Sequence, residues 1–502
     1  MMYQFGMRYG EISMVSRQII MLLRQKNLNQ QMKKVNRIWI ILVLWSIAQV
    51  SAAQDTLRLS HGEFLSIVKK YHPLAFKYRL QNNIAEAEIL KARGNFDPIL
   101  DVKKGSKTID GTNYYDQNNS ALVIPTWYGA ELSGSYNYID GQRLNNSDTR
   151  GGLYQFGLTV PLAKNLIYDK RRAMLDQAKY AQVMTEAEQQ VLTNELFRDA
   201  ENAYWQWVKS YDLFLVQQRA VSINQKRLEL TIKTLQYGER ASIDTTETLS
   251  QLRSFELERE DANLQFVKAT MDLCVYLWKE NQEPFELTKP ILPSENINAS
   301  AAYNAYTSLI AKLNNQPINN HLSLIYYQQK QNILESERKL KWQSFLPKID
   351  FTYNFFNKEN YKTNLFPLFQ NNYQYGLKLE IPLFLRQARA DYRQANLKLT
   401  QNRLDSDLKR QSLNAKINSY TNEVLNYRNQ INIAQQNIGN YNRLLQAEET
   451  KFQNGESSLF LINSRENKLI DAQEKILELR YKFLKSYNEL KFINDSFANP
   501  LN

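Results

Sequence analysis

Two short stretches, "LQYGERASID" (Leu235–Asp244) and "FQNGESSLFL" (Phe452–Leu461), interrupt long helical patterns in nearly the same way. Ahead of the first, the chain has neither Pro nor Gly from about Asp169 to Leu235. Apolar residues recur there at Phe197, Ala200, Tyr204, Trp207, Tyr211 and Phe214, and then at Val221, Leu228 and Leu235. Steps of three and four give a period of 3.5, the mark of a coiled-coil seam. Gln218 and Gln225 interrupt the seam and predict partly polar packing. Beyond Gly238, Leu257, Leu264, Met271 and Trp278 recur at sevens. The second stretch has the same surroundings. Ile417, Tyr420, Val424, Tyr427, Ile431, Ala434, Ile438, Tyr441 and Leu445 precede it, and Ile462, Leu469, Ile476, Phe483 and Leu490 follow. The long helices, roughly 169–236 and 386–452, would each reach about 100 Å at 1.5 Å per residue. Gly238 and Gly455 fit the left-handed position that ends a helix. Ser242, Asp244, Ser457 and Ser458 are the expected caps of the shorter returning helices. The quoted stretches are therefore the tips of two helical hairpins.

The chain repeats itself. Arg172-Ala173-x-x-x-Gln177-Ala178 matches Arg389-Ala390-x-x-x-Gln394-Ala395 at an offset of 217 residues, the same as between Gly238 and Gly455. A strand ending in Pro-Leu precedes each: "FGLTVPL" (156–162) and "YGLKLEIPL" (375–383). "FDPILD" (96–101) likewise resembles "FLPKID" (345–350). Internal similarity of this kind indicates a tandem duplication. The strands alternate. Ala130, Leu132, Tyr136 and Tyr138 oppose Glu131, Ser133, Ser135 and Asn137, and Tyr154, Phe156, Leu158 and Val160 oppose Gln155 and Thr159. Ile349, Phe351, Tyr353 and Phe355, then Tyr375, Leu377, Leu379 and Ile381, do the same in the second half. A half-buried soluble sheet gives this pattern too. An exported chain with a Tyr-rich face and very long helices favours a lipid-facing exterior with aromatic girdles and a wet lumen. Four strands cannot close a barrel and an open edge cannot face lipid, so copies must pool their strands, three copies of four sufficing. The first half has surplus chain around 107–140, including "SALVIPTWYGAELSGSYNYI", which predicts an extra strand or hairpin inside or outside the barrel.

Residues 1–53 carry seven Lys/Arg and one Glu, half of the net charge of +12. "MKKVNRIWIILVLWSIAQVSAAQ", from Met32, has a basic start, an apolar run (Ile38–Val50) and small residues before Gln54, the pattern of a secretory signal over 32–53. Residues 1–31 read as an over-extended start. No apolar stretch reaches 18 residues, so no transmembrane helix is expected, while a β-barrel stays open. Cys274 is the only cysteine, which excludes an intrachain disulfide, and its helical register suggests a buried small hydrophobe. His61, His72 and His321 are scattered. There is no metal-ligand spacing, phosphate loop or catalytic set, and no basic patch for nucleic acid. No catalytic, metal or cofactor site, and no enzyme activity, is expected.

Signal, two halves, paired strands and long helices broken at a Gly tip together resemble the TolC outer membrane efflux family. The likeness covers about residues 56–495, most specifically "FGLTVPL", "YGLKLEIPL", "SFLPKIDF", "YGERASIDTTE" and "NGESSLFLINSRE"; "HPLAF" (72–76) and "NHLSL" (320–324) resemble its helix openings. It implies a mainly α fold with a transmembrane β part: a TolC-like α-helical barrel of long coiled-coil hairpins, plus a β-barrel shared between three protomers. Twelve strands would sit in the outer membrane of a Gram-negative bacterium, with a helical tunnel across the periplasm and a belt of helices at 57–71 and 300–315. The first repeat would span 54–285 and the second 300–495, joined by a linker at 286–299 and followed by a tail at 496–502. Implied partners are two further copies, outer membrane lipid, a periplasmic adaptor and an inner-membrane pump of RND, ABC or MFS type. The adaptor would dock on Tyr237, Gly238, Glu239, Asn454, Gly455 and Glu456. The glycines match the family's tips and the flanking apolar residues do not. The family's entrance aspartates, six and nine positions past the tip Gly, correspond to Asp244 and Glu247 in the first half and to Leu461 and Ser464 in the second. Only Asp244 keeps the aspartate, and it could equally be a plain helix cap. With Asn463 and Glu466 nearby, these residues form the expected periplasmic constriction, made more apolar by Leu461 and less prone to divalent-cation block. The implied function is a passive exit duct for small molecules in a tripartite efflux system. A type I protein secretion conduit is the alternative within the fold, and a periplasmic coiled-coil scaffold the alternative of another class.

Overall fold

The computed structural model describes residues 57–238, 240–286, 291–297, 320–358 and 372–495. The over-extended start, the signal segment, tip residue Glu239, the belt helix at 300–315 and the tail lie outside these residues. Leu57–Leu59 (β1) pairs with Ile291–Pro293 (β6) as a separate two-stranded ribbon, and β6 falls within the stretch read as a linker. The main body contains helices His61–Tyr71 (α1) and Pro73–Arg93 (α2). Strands Ile99–Ile109 (β2), Thr112–Pro125 (β3), Glu131–Asp140 (β4) and Gly151–Pro161 (β5) come next. Helices Lys170–Gln236 (α3) and Ser242–Cys274 (α4) complete the first half. The second half runs Leu322–Trp342 (α5), Lys348–Lys358 (β7), Tyr373–Glu380 (β8), Arg386–Gln453 (α6) and Leu459–Ile493 (α7).

The two long helices have 67 and 68 residues. That is about 100 Å each. Both end as the glycines require. Gly238 has φ 76° and Gly455 φ 81°. At the second tip Gly455 N–H donates to Phe452 O at 3.1 Å and Glu456 N–H to Lys451 O at 2.9 Å, the paired bonds of a Schellman turn. The serines play a smaller part than expected. Ala241 occupies the N-cap of α4 and Ser458 that of α7, and neither makes a side-chain capping bond. Ser457 Oγ donates instead to Glu448, at 2.5 Å. "HPLAF" and "NHLSL" open α2 and α5 with the same device. His72 Nδ1 accepts the Leu74 N–H at 3.2 Å, and His321 Nδ1 accepts the Ser323 N–H at 3.0 Å.

The heptad seams are the cores of the hairpins, with two corrections. Phe197, Ala200, Tyr204 and Trp207 are buried on α3, and Ile462, Leu469, Ile476, Phe483 and Leu490 on α7. Val424 and Ile431 anchor α6. Gln218 and Gln225, read as interruptions, face outward. Beyond Trp207 the buried polar positions of α3 are Ser210, Gln217, Asn224 and Thr231, a heptad row of their own. The second correction concerns α4. Its inward face carries Thr248, Leu252, Phe255, Ala262, Ala269 and Leu273. Leu257, Leu264 and Met271 stand outward, 73 %, 49 % and 55 % exposed. A helix with apolar rows on two faces serves two partners, and the row of sevens is the one that this chain leaves uncovered. Cys274 is half-buried, and burial pushes its thiol up, away from the reactive thiolate.

The four strands expected in the barrel are present as β4, β5, β7 and β8, but the sheet has six, in the order β2-β3-β4-β5-β7-β8. By the repeat, β2 and β5 are the counterparts of β7 and β8, and the surplus chain joins the sheet between β2 and β5 as the β3–β4 hairpin. Directly opposed residues on antiparallel strands share a face. One row therefore carries Leu132, Leu158, Tyr353 and Tyr375, and the next on that face Phe156, Phe355 and Tyr373. The other face carries Ser133, Asn354 and Gln374, with Glu131, Thr159 and Thr352. The aromatic face is not covered by the chain's own helices: Phe156 is 57 % exposed and Tyr375 69 %. The sheet is tied to α3 by Arg171, whose Nη2 donates to Glu131 at 2.6 Å. Arg172 donates to the carbonyls of Asn165, Leu166 and Ile167, clamping the turn after β5.

Two outcomes follow from these caps. Gly455→Ala meets open space but a positive φ, so its cost of about 1–2 kcal/mol should appear as faster hydrogen exchange confined to the tip. His72 is buried and its pKa is lowered by that burial. The unfolded chain takes up the proton first, so stability is full above the ordinary His value and falls as pH drops through about 6.5. His72→Asn keeps a capping side chain and should flatten that part of the acid dependence in thermal unfolding between pH 7.5 and 5.5.

Candidate functional site at the hairpin tips

From the middle of α3 toward the tips, α3 and α7 run antiparallel and meet through polar side chains. Asn202 accepts from Asn488 at 3.1 Å, Glu201 from Lys491 at 2.5 Å and Glu478 from Lys209 at 3.0 Å. Gln217 Nε2 donates to Glu474 at 2.5 Å. Nearest the tips, Arg227 grips Glu466 with two bonds, Nη1 at 2.5 Å and Nη2 at 3.3 Å. Within each hairpin the contacts are mainly apolar; between the hairpins this ladder runs beside an apolar cluster in which Ile470 of α7 packs with Ala220, Val221, Leu252 and Phe255. Burial pushes the Glu474 carboxyl up, and burial with the neighbouring charges of Glu474 and Asp471 does the same to Glu258.

Arg227 is the centre of the last rung. Its guanidinium also donates to Asn224 Oδ1 at 3.0 Å and lies 3.5 Å from Asn463 Oδ1. Asn463 Nδ2 in turn donates to Glu247 Oε1 on α4 at 3.2 Å. Three helices thus meet on five polar side chains, of which Glu466 is 5 % exposed and Arg227 15 %. Burial without water leaves a charge dependent on its partner.

The expected site residues fall into three places. Glu247, Asn463 and Glu466 belong to this network. Ser464 faces an open groove of about 470 Å³ between α4 and α7, with Glu247, Gln251, Phe460 and Asn467. Asp244 sits in the first turn of α4, where a carboxylate suits the helix dipole, 3.8 Å from Arg240. Tyr237 is 80 % exposed at the first tip, and Leu461 40 % exposed on the first turn of α7. Gly238, Asn454, Gly455 and Glu456 form the turns themselves. The reading from sequence missed Arg227, Arg240, Ile243 and Phe460. Arg240 lies 4.0 Å over the Phe452 ring and so joins the first tip to the second hairpin. Ile243 and Phe460 are each 68 % exposed. Their position beside the tip glycines was the available signal; Arg227, 11 residues from Gly238, gave none.

Among the described residues no group of His, Cys, Asp and Glu could hold a metal ion, and no helix is long and apolar enough to cross a membrane. The architecture, long helical hairpins joined to a sheet with one aromatic and one polar face, defines a class. The family model of the outer membrane efflux proteins matches residues 129–277 and 313–493, more than half of the chain and one segment in each half. The chain belongs to the outer membrane efflux protein family. Solved structures agree in fold. The outer membrane channel CmeC of Campylobacter jejuni has a TM-score of 0.59 at 12 % identity, covering 86 % of this chain and 84 % of its own. VceC of Vibrio cholerae gives 0.58 at 12 %, covering 86 % and 95 %. The open state of Neisseria gonorrhoeae MtrE gives 0.59 at 12 %, covering 86 % and 88 %. None of the curated proteins matches the sequence.

Replacing Glu466 by Gln leaves the Arg227 charge buried with Glu449, 3.9 Å away and half exposed, as its remaining carboxylate. A loss of about 3–5 kcal/mol is expected in thermal unfolding, with faster proteolysis near the tips. The pair Arg227→Met with Glu466→Leu should recover most of it.

Proposed function

We propose that three copies of this chain form a passive exit duct for small molecules, spanning the outer membrane with their sheets and the periplasm of a Gram-negative cell with their hairpins. The observation that carries the reading is the uncovered row Leu257, Leu264, Met271 on α4, together with the uncovered aromatic face of the sheet. The two need different solvents. A seven-residue apolar row suits another helix, and a Tyr-rich strand face flanked by a polar one suits lipid outside and water inside. Neighbouring copies supply the first and the outer membrane the second.

The tips carry the docking and gating roles. Tyr237, Gly238, Glu239, Asn454, Gly455 and Glu456, with the exposed Ile243 and Phe460, form the surface for a periplasmic adaptor that links the duct to an inner-membrane pump of RND, ABC or MFS type. Asp244, Glu247, Leu461 and Ser464 line the constriction. Asn463 and Glu466, held by Arg227, act as a latch between the hairpins. Opening is a rotation of one near-rigid hairpin against the other. The polar ladder between α3 and α7 suits that movement, because its bonds can re-form with water or new partners while the apolar seams inside each hairpin stay packed. The energy comes from the pump.

Leu257→Glu with Leu264→Glu places two charges in the expected seam between copies. The duct reading expects a heat-modifiable trimer from the wild type in outer membrane fractions, and monomers with retained helix content from the double variant. A wild-type protein that is monomeric and fractionates as soluble would defeat it, in favour of a scaffold.

A further inference from the structure

Twelve staves follow only if each copy gives four strands. The sheet has six, with β2 at one edge and β8 at the other. We infer that β2 of each copy pairs antiparallel with β8 of the next, so that three copies of six strands close an eighteen-stranded barrel. This rests on the trimeric duct reading above.

Four observations lead there. First, β4 has no free edge. β3 occupies one side from Asp116↔Asp140 to Pro125↔Glu131, and β5 the other. A twelve-stranded closure would have to unzip the β3–β4 ladder, or expel the β3–β4 hairpin and undo the β2–β3 and β4–β5 ladders so that β2 meets β5. Secondly, the directions fit. All five pairings are antiparallel. An even number of strands leaves β2 and β8 running in opposite directions, as an antiparallel closure requires. Thirdly, the faces fit. Leu100 of β2 is in register with Leu122, Gly134 and Phe156, and so shares the aromatic face. Leu100 and Val102 are 68 % and 60 % exposed. The opposite face of β2 carries Asp101 and Lys103, in line with Ser135 and Asn137 on the polar face. On β8, Tyr373, Tyr375, Leu377 and Leu379 alternate with Gln374, Lys378 and Glu380. Both edges thus continue the same outside and the same lumen. Fourthly, the β2–β3 hairpin is locally well made. Asp110 (φ 51°) and Gly111 (φ 75°) form a two-residue turn with both φ positive, the twist-compatible hairpin type. This hairpin lies outside the residues that match the family model, which begin at 129.

Unpaired backbone at β2 and β8 has no water to turn to in lipid, so one strand must satisfy the other. Barrel diameter grows roughly in proportion to strand number, so the outer mouth would be about 1.5-fold wider than a twelve-stranded one.

Disulfide trapping separates the closures, because the bond needs Cβ atoms about 4 Å apart. In a Cys274→Ser background, Lys103→Cys on β2 is combined in turn with Gln374→Cys, Gly376→Cys and Lys378→Cys on β8. A parallel set uses Asn137→Cys on β4 with the same β8 positions. Oxidation in outer membranes should give covalent trimers from a β2–β8 combination and none from β4–β8. Images of the trimer in nanodiscs should show eighteen staves. Covalent trimers from β4–β8, or a twelve-stave ring with or without a β2–β8 link, would overturn the inference while leaving the duct reading intact. Loss of the wild-type trimer from the outer membrane would end both.

Discussion

A sheet edge cannot be left open in hydrocarbon, and most of this architecture follows from that constraint. The chain exposes an aromatic sheet face with free strands at both ends. In the proposed duct, copies arranged around a common axis would satisfy those groups, and the same axis would let the outward row of α4 meet another helix. Assembly would then be a condition for inserting the β part.

The helical part divides its interactions by chemistry. Apolar heptads dominate inside each hairpin, and hydrogen-bonded or charged pairs together with the apolar cluster around Ile470 hold one hairpin to the other. Burial of apolar area is non-directional and strong in sum, so the hairpins behave as stiff units. The polar ladder is directional, and removal of one member leaves a buried partner unsatisfied. The network of Arg227, Glu466 and Asn463 is therefore firm in one arrangement and specific to it, which suits the latch role proposed for it.

Much of this was legible in the residues. The long helices came within a few residues of their observed ends because heptads and the absence of Pro and Gly are local signals. Gly238 and Gly455 were readable because a positive φ favours one residue type. The pairing partners of Arg227 were not readable, since ion pairs across 239 residues leave no periodic trace. Gln218 and Gln225 were misread because a shift of one position along a helix turns a side chain by 100°, and the buried polar row is one residue earlier. The β2–β3 hairpin had a signal, Asp110-Gly111 between alternating residues, which the Lys-rich sequence of β2 obscured.

By itself the sequence determined the elements, their duplication and which strand faces are apolar, because each depends on neighbours within a turn or a pleat. Only the tertiary structure decided which rows of a helix meet their own chain and which are left for another, how many strands join the sheet, and which charges pair between hairpins. Those outcomes depend on register between segments hundreds of residues apart, where alternatives of similar local energy are separated only by the packing of the whole.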